Sequence, residues 1–138
     1  MLSNRSIPQC TVIPELDYAN IGEAIDWLCD VFGFTLRLRI GDHRAQLNVG
    51  DGAIVLTTRR AAPGSPAPSQ SVLVRVEDAN RHHARATERG ALVFGAPTDY
   101  PYGERQYTAQ DPGGHYWTFS QSIADVHPSD WGGTPGLL

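Results

Sequence analysis

The sequence predicts an α+β fold: two tandem β-α-β-β-β modules forming a curved mixed sheet around a cleft, with the helices outside. Three observations carry this. A strand-like alternation, an amphipathic helix and further alternating strands follow one another after Cys10, and the same order returns after Gln70. Gly33 and Gly90 close the two helical patterns at corresponding points, as left-handed caps do. The turns Gly50-Asp51-Gly52 and Asp111-Pro112-Gly113-Gly114 precede the last strand of each copy, and both have tight-turn chemistry.

The elements follow in order. Residues 11–16 alternate, with Pro14 marking an edge position because it lacks a ladder donor. Residues 17–20 read as a turn whose last member, Asn20, N-caps a helix, with Glu23 completing a capping box. Ile21, Ala24, Ile25, Leu28 and Phe32 recur at helical spacing up to Gly33. Residues 34–40, 44–49 and 53–57 then alternate as strands. In the first of these, Arg37 and Arg39 fall on the wet side.

A stretch rich in Pro, Ala, Ser and Gly follows and reads as a flexible linker. The second copy has a strand at 71–76, a helix from 77 to 89, a short strand at 91–94 and an aromatic loop at 95–103. A strand at 105–109 and the strand after the Asp111 turn complete it. One domain over 1–138 results: module one about 10–58, linker 59–70, module two 71–121, tail 122–138. Trp131 in the tail is expected to dock on the body or on a partner, because a tryptophan is seldom left in water.

Composition narrows the function. Hydrophobic residues are 41% and charged residues 19%, a globular balance rather than a disordered one. The net charge of −4 has no basic stripe, which argues against a nucleic-acid partner. No apolar run reaches the ~20 residues of a membrane span, and residues 1–9 lack a signal-peptide layout. A cytoplasmic location is expected. Cys10 and Cys29 fit no metal or redox spacing, and both are expected as free thiols in a reducing compartment.

The chain resembles the vicinal oxygen chelate superfamily, which includes glyoxalase I, extradiol dioxygenases and the fosfomycin- and bleomycin-resistance proteins. The resemblance rests on Ala24-Ile25-Asp26-Trp27-Leu28 running into Phe32-Gly33-Phe34, then Val76-Glu77-Asp78, then Tyr102-Gly103 and Asp111-Pro112-Gly113-Gly114. It covers residues from about 10 to 121. It implies a homodimer, which the open sheet edges also favour. In metal-using members each module sends His, Gln or Glu ligands from its first and last strands into the cleft. Carried onto this sequence, those places fall on Ile13, Leu56, Ser71 and Thr118. Two aliphatic and two hydroxyl side chains do not suit a divalent ion, so neither a metal nor another cofactor is expected. A shift of register could bring in one ligand, for example Glu15 on the face of Ile13, but not four.

The candidate site is therefore a ligand cleft. On the last strand Tyr116, Thr118 and Ser120 share one face, with Trp117 and Phe119 on the other. Tyr102, Arg105 and Tyr107 from the aromatic stretch, Leu73 and Arg75 from the strand at 71–76, and Ile54, Leu56 and Glu15 from module one complete the set. Such a lining suits a small, flat, partly anionic organic molecule, to be sequestered or delivered. The rival expectation is an enzyme of the same superfamily, a lyase, an isomerase or a dioxygenase-like one, with Glu15, Arg75 or Tyr107 supplying acid, base or oxyanion stabilisation. No residue is singled out as catalytic, and no nucleophile–base motif is readable. His82 and His83 are read as part of a solvated helix face, His43 as exposed, and His115 as a turn residue bonded to backbone; His127 is given no role.

Overall fold

The structure, a computed structural model, describes residues 3–58 and 71–136. The linker expected at 59–70 lies outside them. The element order is β1 (Glu15–Tyr18), α1 (Ile21–Phe32), β2 (Thr35–Ile40), β3 (Arg44–Val49), β4 (Gly52–Thr58), β5 (Ser71–Arg75), α2 (Ala79–Glu88), β6 (Leu92–Val93), β7 (Thr98–Tyr100), β8 (Glu104–Gln110) and β9 (Tyr116–Ser122). A 3-10 turn at Pro128–Trp131 follows. The first sheet runs β1-β4-β3-β2 and the second β5-β9-β8-β6, with β7 also on β8. Each is mixed, because β1 lies parallel to β4 and β5 parallel to β9 while the other pairs are antiparallel. The expected α+β class and the repeated order are both seen. Among the described residues no helix is long and apolar enough to cross a membrane.

Local chemistry accounts for both helices. Asn20 accepts from the Glu23 N–H and caps α1, and Gly33 ends it at φ 78°, a conformation that favours glycine. Asp78 caps α2 through the Arg81 N–H. Helix α1 buries Ile21, Ala24, Ile25, Leu28, Val31 and Phe32. Helix α2 buries only Ala79 and Ala86. One core holds both modules together. Phe32 meets Trp117 at 5.7 Å and Phe119 at 4.9 Å, and Phe34 meets Trp117 at 5.4 Å. Around them lie Leu16, Leu28, Leu47, Ile54, Leu56, Tyr107 and Ala109.

A buried carboxylate ties the modules at one end. Asp111 accepts from the Tyr18 hydroxyl (2.6 Å), the Trp117 indole N–H (3.0 Å), and the backbone N–H groups of Gly113 (2.9 Å) and His115 (3.0 Å). These donors offset the cost of its burial. His115, buried beside it, places Nε2 2.7 Å from the Asp17 carbonyl, so the backbone partner expected for this residue is present.

Three boundaries differ from expectation. The first strand begins at Glu15 and keeps Asp17 and Tyr18, which pair with Thr57 and Thr58. The ladder opens only where the Pro14 carbonyl accepts from the Val55 N–H. A bulge between Leu36 and Leu38 shifts β2, so that Leu38 and Ile40 oppose Gln46 and Arg44 while Arg39 opposes Ala45. The two arginines therefore do not share one wet face. The aromatic loop contains an extra strand, β7, held on β8.

Candidate functional site

Each sheet turns one face to the helices and the shared core, and the other outward. On the second sheet strand register assigns the outer face. Leu73 pairs with Thr118 and Arg75 with Ser120. Thr108 pairs with Thr118, Gln106 with Ser120 and Gln110 with Tyr116. Leu92 pairs with Gln110. Partners in register point to the same side. All of these side chains therefore lie opposite Trp117 and Phe119, which are buried in the core.

This outer face is largely bare. Leu73 is 62% exposed, and Leu92, Phe94 and Tyr116 are also exposed. Phe94 and Tyr116 touch at 5.7 Å between ring centres. Among these apolar groups sit hydroxyls and amides bonded to one another. The Thr108 and Thr118 hydroxyls are 3.0 Å apart. Gln106 donates to Ser120, and Ser120 to Glu104 at 2.8 Å. The Tyr102 hydroxyl donates to Gln106 at 3.2 Å, and Arg75 reaches the Ser122 hydroxyl at 3.3 Å.

Of the ten expected site residues, Leu73, Arg75, Tyr102, Tyr116 and Thr118 come together here. Five do not: strand parity turns Tyr107 and Arg105 to the helix side, and Ile54, Leu56 and Glu15 belong to the first sheet. Ile54 and Leu56 oppose Leu47 and Ala45 on the helix side of β4 and are buried in the core. Tyr107 opposes Phe119 and stacks on it at 5.3 Å beneath α2. Arg105 opposes Gln121, whose side chain accepts from the Ala79 N–H of α2, and is held by Asp99 at 2.7 and 3.1 Å. Glu15 lies on the first sheet, paired with Arg44 at 2.7 Å. Leu92, Phe94, Gln106 and Thr108 were not anticipated; the alternation of β8 points to Gln106 and Thr108 once Thr108 is set against Thr118.

The first sheet's outer face is covered. Gln46 (4% exposed), Ala53 and Val55 are buried there. The segment before β1 crosses it. Arg37 donates to the carbonyls of Arg5 (2.9 Å) and Ile7 (3.2 Å), and Gln46 donates to that of Ser6 at 3.0 Å. The turn presenting these carbonyls is closed by the Ile7 N–H on the Asn4 carbonyl. A cavity of about 590 Å³ remains between this arm and the β3–β4 turn, lined by Cys10, Val12, Arg37, Asn48 and Ala53 among others.

His82 departs from expectation. Its Nδ1 meets the Tyr107 hydroxyl and its Nε2 lies 3.3 Å from the Phe32 carbonyl. Its ring lies 4.0 Å from that of Phe119. Burial pushes its pKa down, opposed by the bond to Phe32 and helped by the nearby Arg85 charge. Burial raises the pKa of Tyr107. The missed signal is the stripe Ala79, His82, Ala86, which puts His82 on the buried side of α2. The charged residues around it hid that stripe.

Of the four positions that the resemblance carries over, Ser71, Thr118 and Leu56 bring no donors that suit a divalent ion. Ser71 and Thr118 offer neutral hydroxyls, and the latter is bonded to Thr108. Leu56 points into the core, and its neighbours Val55 and Thr57 bring no anionic or imidazole donor. Among the described residues no three His, Cys, Asp or Glu side chains gather.

The repeated order of elements, with one strand of each sheet parallel to its last, finds its match in known proteins. A profile of the glyoxalase/bleomycin resistance protein/dioxygenase superfamily matches residues 15–119. The chain belongs to this superfamily. Among solved structures, TioX from Micromonospora sp. ML1 is 34% identical, with 80% of this chain and 97% of that one covered and a TM-score of 0.69. A glyoxalase/bleomycin resistance protein/dioxygenase from Nocardioides is 21% identical over 94% of this chain and 91% of its own, with a TM-score of 0.61. A superfamily protein from Alicyclobacillus acidocaldarius is 15% identical over 86% and 95%, with a TM-score of 0.67. Comparison with functionally curated proteins finds no match. Superfamily membership fixes the order of the strands; the chemistry depends on the side chains they carry.

Proposed function

We propose that this superfamily member binds a small, flat, partly anionic aromatic compound on the outer face of its second sheet, without a metal, and sequesters or delivers it rather than converting it. One observation carries the reading: Leu73, Leu92, Phe94 and Tyr116 are exposed together around a hydroxyl pair, beside Arg75. Exposed apolar groups gathered on one face are characteristic of binding surfaces. The hydroxyls and amides offer neutral hydrogen bonds, and Arg75 offers charge for an acidic group.

The protein acts as a homodimer in the cytoplasm and has no nucleic-acid partner. What supports the dimer is that both outer faces turn away from the core the sheets share. A facing wall for the second sheet is therefore to be supplied by a second copy. Calorimetric titration with a panel of planar aromatic carboxylates tests the reading, before and after chelation. Saturable binding that chelation leaves unchanged is expected. Failure of the whole panel, or binding that appears only on adding a divalent ion, would overturn it.

A further inference from the structure

The tail after β9 is built with more care than a loose end requires. Ile123 and Ala124 donate to the Gly103 carbonyl at 2.8 and 3.3 Å. A side chain at Gly103 would bring Cβ to 2.5 Å from the Ala124 oxygen, and its φ is 81°. His127 then caps the turn Pro128–Trp131 by accepting from the Ser129 N–H. Gly132 leaves the turn at φ 95°, and the Gly133 N–H closes on the Pro128 carbonyl at 2.8 Å. A side chain at Gly133 would meet that same carbonyl at 2.9 Å.

This framework presents one large side chain. Trp131 lies 5.3 Å from Tyr102, which stacks at 5.4 Å and 7° on Tyr100. Yet Trp131 remains 45% exposed and Tyr100 is exposed beside it. The Tyr102 hydroxyl rests on Gln106, whose register partner Ser120 is also the partner of Arg75. The aromatic ladder thus borders the same end of the outer face as Arg75. A tryptophan on a capped, hydrogen-bonded turn, with nearly half its surface in water, offers a stacking face. Its position lies beyond residues 15–119, the part matched to the superfamily.

We infer that Trp131 is a selectivity residue: it forms one wall of the ligand site and admits compounds with a flat aromatic ring system whose acidic group reaches Arg75. The inference rests on the binding function proposed above. Aromatic faces gain from stacking in a way that a saturated ring of equal size and area does not. Removing Trp131 should therefore erase a preference between two shapes, beyond weakening both.

The test uses naphthalene-2-carboxylate and its saturated counterpart, trans-decahydronaphthalene-2-carboxylate, titrated into the full chain by calorimetry. The wild type should prefer the aromatic acid by about tenfold. Trp131→Ala should bring that ratio to about one, and Trp131→Phe should restore most of it. Arg75→Ala should weaken both acids equally and keep the ratio. If neither acid binds wild type, the proposed binding function falls and this inference with it. If both bind through Arg75 but Trp131→Ala lowers them in parallel, or leaves both unchanged, only the role of Trp131 is overturned. Unfolding of each variant by circular dichroism identifies one that lost its fold, and Trp131→Phe then decides.

Discussion

The two modules share one plan and differ in what lies on their outer faces. On the first sheet Gln46, Ala53 and Val55 are buried, and an N-terminal arm is held by its backbone carbonyls. On the second sheet Leu73, Leu92, Phe94 and Tyr116 stand in water. A duplicated fold therefore does not duplicate its outer surface. The chain closes one copy of the surface with its own backbone and leaves the other available. The helices differ in the same sense: α1 buries large apolar side chains, whereas α2 buries two alanines and packs a histidine against Tyr107 and Phe119.

The sharpest way to break this comparison is to put a charge on each face. Val55→Asp should cost about 4 kcal/mol, because it strands a carboxylate in a buried position. Leu73→Asp should cost less than about 0.5 kcal/mol, as a surface change does. Urea unfolding of the two variants measures both. Equal losses would mean that the two faces are alike.

Next in size is the effect on a bound aromatic acid. Arg75→Ala and Tyr116→Ala should each weaken it by ~1–3 kcal/mol in a calorimetric titration, through lost charge-assisted bonding and lost ring packing. Arg105→Ala should change nothing, since Arg105 lies on the helix side and serves Asp99.

Gln46→Ala addresses the covered face. It removes the donor to the Ser6 carbonyl and should cost about 1–2 kcal/mol. It should also speed tryptic cleavage after Arg5, because the arm loses the Gln46 tether and Arg37, which holds the Arg5 and Ile7 carbonyls, loses its Gln46 partner. An unchanged cleavage rate would mean that the arm is held by something else.

The smallest expected effect separates the helices. His82 has a depressed folded-state pKa. Above the ordinary histidine range it is neutral folded and unfolded, and its packing contributes in full. As the pH falls from that range toward the depressed folded value, only the unfolded chain gains the proton, and stability is lost. His82→Gln should flatten that part of the stability–pH curve; a slope left intact would assign it to another group.

What the sequence made legible follows from local chemistry. The Asn20 and Gly33 caps on α1, the turn at Asp111 and the separation of Trp117 and Phe119 from Thr118 depend on neighbours a few residues away. Parity across strands does not. Ile54, Val55 and Leu56 form an unbroken apolar run with no alternation, so counting from Gly52 places Leu56 on either side. Only the pairing of Ala45 with Leu56 resolves it. The aromatic stretch offers Tyr107 as a cleft residue, but register sets it opposite Phe119. The bulge at Leu36–Leu38 puts Arg37 and Arg39 on opposite faces without any glycine or proline to announce it. The arm's cover is a tertiary contact between backbone and two distant side chains, and no periodicity encodes it.

The central claim is that the bare outer face of the second sheet is the binding surface and works without an ion. The most direct test is a titration of chelator-treated wild type and Leu73→Asp with the same planar aromatic acid. The account predicts saturable binding to the wild type and none to Leu73→Asp, whose fold should be intact. Equal binding by both, or binding restored to the wild type only by adding a divalent ion, would contradict it.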